Sequence, residues 1–173
     1  IRAIIEHVKD KYPAYKLALL TNGVLLNDDA VLGEVLPCDL ILPSLDAATQ
    51  KAYEMINRPK PGLKIDDLIS GLIKLRTRYP GQIWLEVFII PGINNSETEL
   101  YALREAISRI RPNVVQLNSL DRPGAEDWVE PATAQDLKKV KDYLAQGMDI
   151  PIEIIAKIKY NSGVAALDAE VVH

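Results

Sequence analysis

Four short apolar runs in this chain each end in hydrogen-bonding residues, and helical patterns separate them. Residues 17–20 run into Thr21-Asn22-Gly23, and residues 40–43 into Ser44-Leu45-Asp46. Residues 83–90 carry Glu86 and end in Pro91-Gly92, and residues 114–117 lead to Asn118-Ser119-Leu120-Asp121. Strands separated by helices imply parallel crossovers. Parallel strands of a β/α protein gather their C-terminal ends on one face, where ligands bind. The pattern therefore predicts a site together with a fold.

The local signals define the elements. Residues 2–12 read as an amphipathic helix with Ile4, Ile5 and Val8 on one face and no cap before the first turn. Residues 15–20 read as a buried strand. Asn27-Asp28-Asp29 opens a helix to about Val35, which Pro37 stops. Residues 39–45 form the second strand and 48–56 a short helix. Asn57-Arg58-Pro59-Lys60-Pro61-Gly62 is a loop, because two prolines and a glycine defeat any regular element. A helix over 65–79 carries an apolar stripe of Leu68, Ile69, Leu72, Ile73 and Leu75. The third strand spans 83–90. Ser96-Glu97-Thr98-Glu99 predicts a capping box for a helix to about Ile110. The fourth strand spans 114–120, Thr133-Ala134-Gln135-Asp136 caps a helix ending near Gly147, and a fifth strand spans 152–158. The tail from Asn161 is ambiguous, with Ser162-Gly163 read as a turn. These elements suit either an open doubly wound sheet or part of a (β/α) barrel; periodicity does not choose. Residues 1–173 are read as one domain.

Composition narrows the function. At 48% hydrophobic and 25% charged, the chain belongs with globular proteins. A net charge of −4 argues against a duplex-binding surface. Cys38 is the only cysteine, so no intrachain disulfide forms, which fits a reducing, cytoplasmic compartment; it reads as a packing residue rather than a nucleophile. No apolar run reaches the roughly 18 residues of a membrane helix. His7 and His173 are the only histidines, which disfavours a His-based triad or metal centre. No Gly-rich phosphate loop is present.

Side chains alternate across a strand, so Leu42, Ser44 and Asp46 share one face, as do Trp84, Glu86 and Phe88. Glu86 stands out as a carboxylate inside an apolar run. Burying it unpaired costs several kcal/mol, so a structural partner or a ligand must answer it. Asp46 competes as a helix cap, Asn118 and Asp121 as turn residues, and Thr21-Asn22-Gly23 as a tight turn. Four strand ends finishing alike favour a shared site over four separate turn explanations.

The runs Leu-Leu-Thr-Asn-Gly (19–23), Leu-Pro-Ser-Leu-Asp-Ala (42–47), Ile-Asn-Arg-Pro-Lys-Pro-Gly-Leu (56–63), Trp-Leu-Glu-Val-Phe-Ile-Ile-Pro-Gly-Ile-Asn (84–94), Leu-Asn-Ser-Leu-Asp-Arg-Pro (117–123) and Ala-Glu-Asp-Trp-Val-Glu-Pro (125–131) resemble the radical SAM superfamily. The branch they resemble is the Fe–S oxidoreductases related to the wyosine-base synthases. The resemblance covers about residues 1–158. It implies an α/β fold, a partial (β/α) barrel of parallel strands. It also implies a [4Fe–4S] cluster and S-adenosylmethionine at the strand ends, yielding a 5′-deoxyadenosyl radical that abstracts hydrogen from substrate. By position it assigns Thr21, Asn22, Ser44, Asp46, Glu86 and Asn118 to the cofactor, and Arg58, Asp121 and Arg122 to the substrate, which in that branch includes tRNA.

Two family features are missing: the C-x3-C-x2-C cluster cysteines and the Gly-Glu-type turn that holds the methionyl amine. Iron–sulfur ligation requires thiolates, so this chain alone is expected to hold neither the cluster nor S-adenosylmethionine stably and to be inactive. It is read as the distal part of a larger enzyme, lacking the first two strands of a (β/α)6 core. The barrel edge left open by such a loss invites self-association. Two further readings stand beside this one. The first is a clusterless barrel that binds a ligand or partner. The second is a barrel enzyme holding Mg²⁺ through Asp46, Glu86 and Asp121.

Overall fold

In the computed structural model, which describes residues 1–122, 124 and 126–156, five strands form one parallel sheet in the order β1-β2-β3-β4-β5. The elements are α1 (Arg2–Lys11), β1 (Ala18–Thr21), α2 (Asp29–Val35), β2 (Leu40–Pro43), α3 (Gln50–Asn57), α4 (Ile65–Arg78), β3 (Gln82–Phe88), α5 (Glu97–Ile110), β4 (Val114–Asn118), α6 (Ala134–Leu144) and β5 (Ile152–Ile154).

Burial alternates along every central strand. In β3, Ile83, Leu85 and Val87 are buried while Trp84, Glu86 and Phe88 are half-buried. β2 and β4 repeat the pattern in register, with Leu85 opposite Val115 and Glu86 opposite Gln116. One face of the sheet thus lies under the helices and the other stays open. A doubly wound sheet has helices on both faces. Strands in sequence order with one covered face make instead a wall of a (β/α) barrel, which settles the choice that periodicity left open.

The helices form where local chemistry favours them. α2 is capped by Asp28, whose side chain accepts from Ala30 and Val31 N–H. In α4, Asp66 and Asp67 stand at the N-terminal turn and Arg76 and Arg78 at the C-terminal turn, complementing the helix dipole. Its stripe of Ile65, Leu68, Ile69, Leu72 and Leu75 is buried. Gly71 interrupts that helix for a packing reason. A Cβ there would lie 2.7 Å from the backbone nitrogen of Asn27, so only glycine lets the β1–α2 loop approach this closely. Thr133 and Asp136 make a full capping box on α6.

Several expectations need correction. The strand expected over 15–20 is laddered only from Ala18. Leu17 N–H donates instead to the Asp39 carboxylate at 2.8 Å. That strand is also not buried: it is the sheet edge, and Leu20 is 70% exposed. The N-cap of α1, Ile1, makes no side-chain cap bond, as expected, and Arg2 N–H donates instead to Glu34 of α2 at 3.0 Å. The box expected on α5 is half-formed. Ser96 accepts from Glu99 N–H, but the Glu99 carboxylate accepts the Thr49 hydroxyl at 2.8 Å. Thr49, rather than Asp46, caps α3. β5 ends at Ile154; residues 157 and 158 of the longer strand expected there, and the tail from 161, lie outside the described residues. Cys38 is buried, and that burial pushes its thiol pKa up, as a packing residue requires. Among the described residues no helix is long and apolar enough to cross a membrane.

Candidate functional site

The open face divides into two zones. Towards the N-terminal strand ends, Leu20 lies opposite Leu42, and Trp84 opposite Val114. Towards the C-terminal ends the positions turn polar. Ser44 bridges to Glu86, Glu86 stands opposite Gln116, and Gln116 opposite Glu153. One residue pair further on, Phe88 stands opposite Asn118. The apolar zone and the polar zone occupy the same side of the sheet because the parity of each strand continues unbroken into its end.

Glu86 is answered by a neighbouring strand. Asn118 Nδ2 donates to Glu86 Oε1 at 2.8 Å. The structural partner of Glu86 is therefore Asn118, another of the polar strand-end residues. Asn118 Oδ1 accepts from Ser119 N–H at 2.9 Å, which orients the amide so that its donor faces Glu86.

Asp46 is the most strongly desolvated carboxylate of the site. Its Oδ1 accepts from Phe88 N–H and its Oδ2 from Asn57 Nδ2, both at 3.0 Å. Burial raises its pKa above the ordinary carboxylate value; the two hydrogen bonds oppose that shift and the Glu86 charge adds to it. Thr21 and Asn22 form the turn after β1. Thr21 Oγ1 accepts from Gly23 N–H and Asn22 Oδ1 from Val24 N–H, and Gly23 takes a φ of 72° that favours glycine.

Asp121 and Arg122 line a depression of about 400 Å³ with Phe88, Asn118, Ser119, Leu120 and Ile155. They thus adjoin the Glu86–Asn118 pair at the lip of the sheet. Arg58 lies elsewhere on the rim, where its guanidinium meets Glu126 Oε1 at 2.5 Å. That pairing raises the pKa of Arg58 and lowers that of Glu126. The Trp128 indole donates to the other Glu126 oxygen at 3.2 Å.

The fold therefore brings Ser44, Asp46, Glu86 and Asn118 together, sets Asp121 and Arg122 beside them, and leaves Arg58 on a separate rim contact. Sequence reasoning missed Asn57, Asn94, Ser119 and Glu126. Ser119 is buried, donates to Ile89 O and accepts from Ala132 N–H, tying down the β4–α6 loop. A buried loop asparagine or serine reads in sequence like any turn residue. Gln116 was within reach of the parity rule, two residues before Asn118.

Among the described residues, no three His, Cys, Asp or Glu side chains converge as a metal site. Asp46, Glu86 and Asp121 accordingly do not make the oxygen cage that Mg²⁺ needs. An iron–sulfur cluster does not fit this chain either, because it has a single thiol, Cys38, which is buried in the core. The polar zone does suit a small polar ligand, for it offers the Glu86 carboxylate, the Ser44 hydroxyl and the Asn118 amide above an apolar floor.

No protein-family profile matches the chain. It is 30% identical over 138 residues to the GTPase Obg of Brachyspira hyodysenteriae, covering 80% of this chain and 20% of that protein. It is 28% identical over 124 residues to the UPF0026 protein MJ1312 of Methanocaldococcus jannaschii, covering 72% and 39%. A UPF0026 protein of Helicobacter pylori is 29% identical over 122 residues, covering 70% and 39%. The chain thus spans about a fifth to two-fifths of the length of these relatives.

Among solved structures, a domain of the pyruvate-formate lyase-activating enzyme of Bacteroides vulgatus superposes with a TM-score of 0.69 at 13% identity, covering 88% of this chain and 89% of that one. A radical SAM methyltransferase of Sphaerobacter thermophilus gives 0.67 at 17% identity, covering 86% and 43%. Streptococcus suis SuiB bound to S-adenosylmethionine gives 0.66 at 9% identity, covering 90% and 36%. The chain has the fold found in these radical SAM enzymes.

Proposed function

We propose that this chain is the distal, cofactor-facing wall of a radical SAM Fe–S oxidoreductase of the branch related to the wyosine-base synthases. In this reading, Thr21, Asn22, Ser44, Glu86 and Asn118 face S-adenosylmethionine, with Asp46 bordering them, and Arg58, Asp121 and Arg122 meet the substrate. The observation that carries it is the Glu86–Asn118 pair on the open face, 2.8 Å apart. A carboxylate and an amide held at a strand end are suited to sugar hydroxyls and amines, which donate to the one and pair with both functions of the other. S-adenosylmethionine, when bound beside a reduced cluster, supplies a radical that abstracts hydrogen. The residues of this chain bind and orient it.

Cluster ligation is assigned to sequence preceding Ile1, which would also add strands to the β1 edge. Tyr15, Leu20 and Leu25 are exposed along that side, and an uncovered edge of this kind favours pairing with further strands or with a second copy. The GTPase activity in the name of the Brachyspira relative is not part of this reading, because the chain covers 20% of that protein. A tRNA substrate rests on the branch resemblance alone. A peptide substrate has a precedent in SuiB, whose structure is also known with the precursor peptide SuiA.

The test is anaerobic reconstitution of a longer form that carries the sequence upstream of Ile1. Iron uptake and reductive release of 5′-deoxyadenosine are expected. A longer form that takes up no iron overturns the oxidoreductase reading in favour of a clusterless binding barrel.

A further inference from the structure

Asn94 makes no ligand contact in the reading above, yet it is fully buried and commits its whole amide to one point of the fold. Its Oδ1 accepts from Ile90 N–H at 2.8 Å. Its Nδ2 donates to the carbonyls of Asp46, at 2.8 Å, and Phe88, at 2.6 Å. Residue 46 is thus held through its backbone by Asn94, and through its side chain by Phe88 N–H and Asn57. A buried amide with every function satisfied rigidifies its surroundings.

Asn57 is the last residue of α3, and Arg58 follows it in the left-handed conformation, φ 46°. Pro59 and Pro61 come next, and fixed proline φ angles restrict the loop, so its position follows from its anchor. Arg58 then reaches Glu126, which also holds Trp128. A continuous series of contacts runs from the ends of β2 and β3 out to the loop between β4 and α6. Both oxygens of the Asp46 carboxylate are engaged within the protein, and each engagement joins a different element.

Resting on the function proposed above, we infer that Asp46 is a positioning residue: by bridging Phe88 and Asn57 it seats the Arg58 loop against Glu126 at the rim of the ligand face, without touching the ligand itself. This separates it from Ser44, Glu86 and Asn118, which face outward from the same wall.

A polarity swap tests the bridge. Asn57→Asp sets carboxylate against carboxylate. Adding Asp46→Asn restores one donor and one acceptor with the polarity reversed. Asp46→Asn alone is tolerated by the bridge, because the Asn57 amide can rotate to present its oxygen. Two readouts are taken at pH 8: calorimetric affinity of the longer form for S-adenosylhomocysteine, and the Trp128 indole N–H resonance, which reports the Arg58–Glu126 contact. Asn57→Asp is expected to weaken affinity about tenfold and to shift the Trp128 resonance. The double variant should restore both, and Asp46→Asn alone should leave both near the starting values. Because a protonated Asp46 can donate to the carboxylate introduced by Asn57→Asp, the defect of that variant should shrink as pH falls.

Loss of affinity in Asp46→Asn that persists in the double variant would overturn the inference, by showing that the carboxylate meets the ligand. An Asn57→Asp protein with unchanged readouts would overturn it as well. Should Asn57→Asp fail to fold, Asn57→Ala removes the same donor without adding charge and must shift the Trp128 resonance. If the longer form carrying the sequence upstream of Ile1 shows no affinity for S-adenosylhomocysteine, the cofactor reading fails. The Trp128 resonance needs no ligand and still decides the bridge.

Discussion

A single strand, β3, shows two kinds of selection. Ile83, Leu85 and Val87 point under the helices and are fully buried, while Trp84, Glu86 and Phe88 alternate with them on the open face. The covered face follows apolar packing alone. The open face carries the Glu86 carboxylate and the Asn118 amide, which partner one another, and Ser44, whose backbone bridges to Glu86. Stability is concentrated on one side of the sheet and chemistry on the other, 180° apart along the same backbone. Substitutions on the two faces should therefore separate.

The largest effect belongs to the covered face. Leu85→Ala empties a fully buried site and should cost about 2–5 kcal/mol, read as a lower urea midpoint. If it costs no more than Trp84→Ala, the division between faces fails. Gly71→Ala comes next. Its new methyl group would meet the Asn27 backbone at 2.7 Å, so the loop must move, at about 1–3 kcal/mol. A thermal melt unchanged by this substitution would show that the loop has room to give.

On the open face the order reverses. Glu86→Gln keeps an oxygen acceptor for Asn118 and should change stability by under about 1 kcal/mol, while affinity for S-adenosylmethionine falls about tenfold. A stability loss as large as that of Leu85→Ala would make Glu86 a structural residue.

Two carboxylates, one at the site and one in a helix cap, differ in the sign of their pH dependence. Asp46 has its folded-state pKa raised, chiefly by burial. The folded protein then holds the proton more tightly than the unfolded chain does. The contribution of this group is fully present below the ordinary value of 3.8 and is lost as pH rises through the elevated one. Asp136, in the α6 cap, has its pKa lowered by its hydrogen bonds with Thr133. Its contribution is present above 3.8 and lost as pH falls through the depressed value. Denaturant titrations of Asp46→Asn and Asp136→Asn against pH should bend away from the parent protein in opposite directions. Parallel curves would remove the contrast. The smallest effect is expected of Lys138→Ala, which breaks an exposed pair with Asp142 four residues on and should fall within about 0.5 kcal/mol, read from the same denaturant midpoints.

Much of this was legible before any coordinates. The helices declare themselves through neighbours in sequence. Asp28, Ser96 and Thr133 lie one residue before their helices and cap them, and an apolar stripe repeats every three or four residues. The strands follow from short apolar runs, and parity put Ser44 with Asp46 on one face of β2 and Glu86 with Phe88 on one face of β3. The errors came where a partner distant in the chain intervened. Leu17 kept its carbonyl in the ladder but gave its N–H to the Asp39 carboxylate, and Glu99 turned from its own helix to Thr49, fifty residues away.

Local order is set by interactions spanning a few residues, and such interactions are written in the sequence itself: five strands, the helices between them, and the face on which the polar residues stand. Contacts between distant segments depend on how those elements pack, and a turn-forming asparagine has the same spelling as a buried one. The tertiary structure alone decided that the sheet is covered on one face, that β1 is its edge, and that Asn118 answers Glu86. It alone placed Asn94, Asn57 and Glu126 in one series of contacts around Asp46, because hydrogen-bond partners 11, 48 and 68 residues apart meet only once the chain has folded.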